Sequence, residues 1–149
     1  MQTIVRVGVD LAKNVLQVHA VDAQGRMVTN RAIQRSEFLA WCAPLPAACL
    51  VAMEACGGAY HWCRQLLCMG LDARMMAAAR VAPYRMQGKS GKNDANDAAA
   101  ICEAASRPQM RFVPVKTPEQ PGILCVHRLR EGFKEERTAC INCRSSDLI

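Results

Sequence analysis

The sequence predicts an α/β fold: a mixed five-stranded sheet with flanking helices, followed by a carboxyl-terminal helix. Three observations predict it. The first third holds three β-rich runs joined by short connections. The middle then alternates helix-period segments with compact apolar runs. From about Thr117 the chain turns polar, with a thin apolar stripe at helical spacing.

Thr3 to Leu11 alternates Val5, Val7 and Val9 and reads as the first strand. Asn14 to Val21 is the second. Asp22-Ala-Gln-Gly25 supplies turn chemistry, and Arg26 to Ile33 makes the third run. Such short links imply antiparallel neighbours. Ser36 is placed to cap a short helix through about Ala43, which Pro44 stops. Ala48 to Met53 is an apolar run ending in Glu54 and suits a buried central strand. After Gly57-Gly58, residues Ala59, Trp62, Cys63, Leu66 and Leu67 recur at helical spacing, and Gly70 ends that helix. Leu71 to Met76 reads as the fifth strand. Arg80 to Lys92 is a basic loop or broken helix carrying Pro83, Gly88 and Gly91. Asn93 is a good cap for an Ala-rich helix from Asp94 to about Ser106, closed by Pro108. Three antiparallel strands followed by helix, strand, helix, strand, helix is the ribonuclease H-like order, with right-handed crossovers packing the helices on the sheet.

Bulk properties narrow the function. At 149 residues, 51% of them hydrophobic, the chain suits one core of ordinary size. The longest apolar stretch, Phe38 to Met53, contains Pro44 and Pro46 and is too broken to span a bilayer, so no membrane partner is expected. The net charge of +6 fits a polyanionic partner without proving one. There are nine cysteines, an odd number, and the amino terminus reads as a strand rather than a secretory signal. A reduced, cytoplasmic protein with buried thiols therefore fits better than a disulfide framework. Cys140-x-x-Cys143 lacks a second pair at zinc-finger spacing.

Four carboxylates occupy places that this topology brings together. Asp10 ends the first strand, and Glu54 ends the fourth, which lies beside the first. Asp94 and Asp97 are three apart on one helix face. Ligand sites in open α/β sheets form at the carboxyl ends of strands. Clustered carboxylates repel one another unless a cation neutralises them, and hard oxygen donors select Mg²⁺ or Mn²⁺. Two such ions roughly 4 Å apart can activate a water and stabilise the leaving oxygen of a phosphodiester. Each acid also has a structural reading. Asp94 and Asp97 suit a first helical turn through the helix dipole alone, and Asp10 suits a turn. Glu54 is harder to explain that way, because a carboxylate beside a buried run needs a partner. Lys13, Arg80, Arg85, Lys89 and Lys92 are candidates for the DNA backbone, or a solvated basic surface.

These residues also carry a family pattern. Val7-Gly-Val-Asp-Leu-Ala-Lys-Asn14, Met53-Glu-Ala-Cys-Gly-Gly58, Gly91-Lys-Asn-Asp-Ala-Asn-Asp-Ala98 and Arg111-Phe-Val-Pro-Val-Lys116 resemble the DEDD transposases of the insertion-sequence one-ten family, akin to Piv- and MooV-type recombinases. The resemblance runs from about Val5 to Asn142. It implies a RuvC-like nuclease domain over residues 1–116, with Asp10, Glu54, Asp94 and Asp97 as the four metal-binding catalytic acids. It further implies Mg²⁺, DNA strand exchange at element ends and guidance by a structured RNA. Residues 117–149 then begin a coiled-coil helix, through which homo-oligomers or full-length transposase subunits would pair. Family members continue into a second domain with a catalytic serine. Cys143-Arg-Ser-Ser-Asp-Leu-Ile149 does not resemble that continuation, and a truncation or frameshift would produce such a tail. Two further function classes compete. One is a non-catalytic nucleic-acid-binding or subunit-pairing fragment. The other is an actin-like ATPase, which needs a Gly-rich phosphate loop that the sequence lacks.

Overall fold

The computed structural model describes residues 2–85, 93–117 and 119–146, with side chains in the last helix described from 126 to 140. Five strands form one sheet: β1 (Arg6–Leu11), β2 (Val15–Val21), β3 (Met27–Gln34), β4 (Leu50–Glu54) and β5 (Asp72–Met76). The helices are α1 (Phe38–Cys42), α2 (Ala59–Cys68), α3 (Ala78–Val81), α4 (Asp94–Ala105) and α5 (Glu119–Ser146), with a 3₁₀ turn at Ala82–Tyr84. The sheet order is β3-β2-β1-β4-β5. β1, β2 and β3 are antiparallel neighbours, while β4 runs parallel to both β1 and β5. This is the mixed five-stranded ribonuclease H-like sheet that the sequence predicts.

Alternation along β1 explains the two layers. Val7 and Val9 point to one face, into a core with Leu16, Val18, Met53, Phe38, Trp62 and Leu66. Phe38 and Trp62 meet edge to face there, with ring centroids 5.3 Å apart. The opposite face carries Ala52 and Met76 against Val81 and the small residues of α4, Ala100, Ala104 and Ala105. Small side chains let α4 lie directly on β1. A Cβ added at Gly8 would fall 2.2 Å from the Ala98 carbonyl oxygen and 2.5 Å from the Cys102 nitrogen. Gly8 is therefore fixed by close approach of two backbones.

The local chemistry largely follows the reading of the sequence. Asp22 accepts from the backbone N–H groups of Gln24 and Arg26 and closes the β2–β3 turn, which Gly25 completes at φ 77. Gly70, at φ 81, ends α2. Asn93 caps α4 by accepting from the Ala95 N–H. Two details differ. Glu37, rather than Ser36, sits at the start of α1, without a side-chain cap, so packing of Phe38 and Cys42 holds that short helix. Leu67 faces solvent at 44% exposure, because the α2 face that meets the core ends at Leu66.

The Arg111–Lys116 segment adds an edge contact. The Val113 N–H donates to the Met75 carbonyl at 2.8 Å, an isolated antiparallel bridge beside β5. Cys42, Cys49 and Cys63 are buried free thiols, pushed up to about 12, 11 and 11 mainly by burial. They pack as small apolar groups. The chain divides into two compact units, Met1–Val115 and Lys116–Ile149. In the second, α5 exposes Val126, Leu129 and Phe133. No helix among the described residues is long and apolar enough to cross a membrane.

Candidate functional site

The parallel pairing of β1 and β4 puts Asp10 and Glu54 at adjacent carboxyl ends, one step beyond the Val9–Met53 pair. α4 packs along β1, and its first turn, which carries Asp94 and Asp97, reaches that same end of the sheet. One carboxylate oxygen each from Asp10, Asp94 and Asp97 lie within 4.8 Å of one another. Asp97 is buried, Asp10 half-buried and Asp94 exposed. Burial, then the charges of Asp97, Asp94 and Glu54, push Asp10 up from 3.8 to about 6, against a smaller lowering by Arg85. Burial leads that rise, and the like charge of the neighbouring acids adds to it.

Glu54 joins this cluster through a cation. Arg85 Nη2 donates to Glu54 Oε2, and Arg85 Nε donates to Asp97 Oδ1 at 3.0 Å. The partner that Glu54 needs is thus Arg85, a residue the sequence offers either to the DNA backbone or to a solvated basic surface. Its side chain is 35% exposed and turns inward to the acids. Lys13 lies exposed in the β1–β2 turn, just beyond Asp10. Arg80 lines an open cleft of about 510 Å³ with Tyr84, Arg107 and Gln109, and none of the four acids lines it. Arg107 stacks over the Tyr84 ring, 5.4 Å from its centroid. Lys89 and Lys92 lie outside the described residues.

A polar network beneath α4 was missed in the sequence. The Gln17 amide donates to Asn30 Oδ1 at 2.6 Å, and Asn30 Nδ2 meets His19 Nδ1 at 3.1 Å and the Ala95 carbonyl at 3.3 Å. Burial, then the charge of Arg6, lowers the pKa of His19, which favours a neutral ring whose Nδ1 accepts from Asn30. Ala95 sits between Asp94 and Asp97, so Asn30 ties the acid-bearing turn to β3. Strand alternation places Gln17 and His19 on one face. Their meeting with Asn30 and a helix carbonyl depends on tertiary register.

The donor set fits a hard divalent cation. It consists of carboxylate oxygens, three of them within 4.8 Å of one another. Strand order and helix placement define a ribonuclease H-like α/β domain, with these acids gathered at the ends of its central strands.

Residues 7–146 match the DEDD transposase family of the IS110 type, described as transposase. The chain is 48% identical over 137 residues to a "Probable family 20 transposase" of Pseudomonas aeruginosa, covering 92% of this chain and 39% of that protein. It is 43% identical over 142 residues to the "Transposase for insertion sequence element IS1111A" of Coxiella burnetii, covering 95% and 38%. It is 37% identical over 145 residues to the "Transposase for insertion sequence element IS1328" of Yersinia enterocolitica, covering 95% and 41%. The chain belongs to this DEDD transposase family. It spans about two fifths of the length of the curated relatives it matches.

Proposed function

We propose that this chain supplies the metal-binding nuclease centre of a DNA transposase. The observation that carries the reading is the convergence of Asp10, Asp94 and Asp97 within 4.8 Å at the carboxyl end of the sheet, with Glu54 reaching them through Arg85. Asp10, Asp94, Asp97 and Glu54 would hold Mg²⁺ or Mn²⁺. Bound there, the cation supplies activation of a water or hydroxyl and neutralises charge at a phosphodiester. Asn93 and Asn30 fix the turn that presents Asp94 and Asp97. Lys13 and Arg80, both exposed, offer positive charge to the DNA backbone.

Complete strand exchange is proposed for an assembly in which a serine-bearing domain meets this one. The family resemblance and the two-fifths span support that division. The same resemblance supports a structured guide RNA as a second nucleic-acid partner. A second reading, a fragment that binds nucleic acid or pairs with longer subunits without cleaving, is favoured by the exposed stripe of Val126, Leu129 and Phe133 on α5.

Nicking of supercoiled DNA in Mn²⁺ separates the two. The nuclease reading expects nicking by the chain and its loss in Asp10→Asn and Asp97→Asn. Equal nicking by the variants would remove these acids from the chemistry. Metal binding without any nicking would leave the pairing reading ahead.

A further inference from the structure

The guanidinium of Arg85 occupies a place that the proposed chemistry reserves for a cation. Its Nε and Nη2 form one edge of the planar fork. That edge is split between two carboxylates from different elements, Asp97 of α4 and Glu54 of β4. An arginine usually sets such an edge against both oxygens of one carboxylate. Here the side chain does what a bridging ion does: it neutralises two acids and draws them toward one point.

The backbone that carries it is well anchored. Val81 is fully buried, and Tyr84 packs against the cluster formed with α4. The Arg85 N–H closes the 3₁₀ turn onto the Ala82 carbonyl. The side chain is different, because a third of it is exposed and it has several rotatable bonds. It can leave the acids without moving the helix behind it.

We propose that Arg85 is an internal counter-cation that competes with the divalent metal for Glu54 and Asp97, so that metal entry displaces its guanidinium into the space over the site. The inference rests on the metal-centre reading above. It adds an exclusion: Glu54 and Asp97 are held by Arg85 or by the ion. Once displaced, the guanidinium stands on a fixed backbone beside the acids, in reach of a phosphate oxygen there. Arg85 is in this sense a positioning residue before metal entry and a phosphate-facing residue after it.

The test is a calorimetric Mg²⁺ and Mn²⁺ titration of the full chain, comparing wild type, Arg85→Ala, Arg85→Lys and Asp97→Asn. Loss of a competitor predicts about tenfold tighter metal binding by Arg85→Ala. Arg85→Lys keeps the charge but lacks the fork that spans two carboxylates, so it too binds more tightly than wild type. Affinity that is unchanged or weaker in Arg85→Ala overturns the proposal. A gain in Arg85→Ala with none in Arg85→Lys supports the competition and assigns it to the charge rather than to the fork. If wild type binds metal and Asp97→Asn does not, a failed prediction for Arg85 leaves the metal centre standing. If none of the proteins binds metal, both readings fall.

A second measurement uses wild type alone. The ¹⁵Nε–H resonance of Arg85, assigned by its absence from Arg85→Lys, is protected from solvent exchange by Asp97 in the metal-free protein. Addition of Mg²⁺ removes that protection. Protection that persists at saturating Mg²⁺ contradicts displacement.

Discussion

Asp10 is where burial and charge act in the same direction. Burial, then the charges of Asp97, Asp94 and Glu54, raise its carboxyl to about 6. An acid raised on folding holds its proton more tightly in the folded state. Between 3.8 and about 6 the folded chain therefore binds more protons than the unfolded one, and its metal-free stability falls as pH rises through that window. Denaturation in EDTA across that range checks this: the slope with pH is more negative in wild type than in Asp10→Asn. Equal slopes would contradict it. A divalent cation needs the deprotonated form, so Mn²⁺ affinity drops below about pH 6, by up to tenfold per unit for one competing proton. The four acids were legible in the sequence because each stands at a chain landmark: two strand ends and a capped helical turn. Arg85 was legible only as positive charge. Whether its charge faces solvent or an acid depends on the turn at Ala82–Tyr84, and Pro83 marks that turn without aiming the side chain after it.

At the scale of elements, the site depends on how closely α4 lies against β1 and β3. Gly8 permits the approach, and Ala98, which meets it, directly follows Asp97. Gly8→Ala forces the helix backbone outward and costs about 1–3 kcal/mol of stability, as overpacking in a filled core does. It also weakens metal binding, because Asp94 and Asp97 move off Asp10. A Gly8→Ala protein with wild-type stability in urea would show that the two backbones have room to spare. Asn30 acts from the other side. Asn30→Ala removes the hydrogen bond to the Ala95 carbonyl and those to Gln17 and His19, at about 1–2 kcal/mol. Amide exchange then rises in the first turn of α4 while the sheet is unchanged. Uniform exchange would assign Asn30 no special hold on that turn. The strands and helices were readable because period-two and helical patterns change at clear punctuation: Gly25, Pro44, Gly57-Gly58 and Gly70. The bridge from Val113 to Met75 and the Asn30 network were not, because they join residues far apart in sequence.

For the whole molecule, a folded unit is followed by a helix that cannot bury its own apolar stripe. Val126, Leu129 and Phe133 are 57–67% exposed on α5, with charged residues around them. The 28 residues of α5 make about 42 Å of helix. A stripe of that kind is stable against a partner helix, which supports pairing through this segment. Leu129→Glu with Phe133→Glu should shift the chain to monomer in sedimentation, without changing metal binding by the first unit. Sedimentation already monomeric in wild type would remove pairing from the account. The sequence showed the helix and its stripe through heptad-like spacing. What it packs against lies beyond what periodicity encodes.

The account rests on one folded metal centre, and paramagnetic NMR tests it most directly. Mn²⁺ titrated into ¹⁵N-labelled protein should broaden amides around Asp10, Glu54 and the Asp94–Asp97 turn first, and Asp10→Asn should abolish that localised effect. Well-dispersed spectra with no localised broadening, or broadening that Asp10→Asn leaves intact, would contradict a metal centre built on these acids.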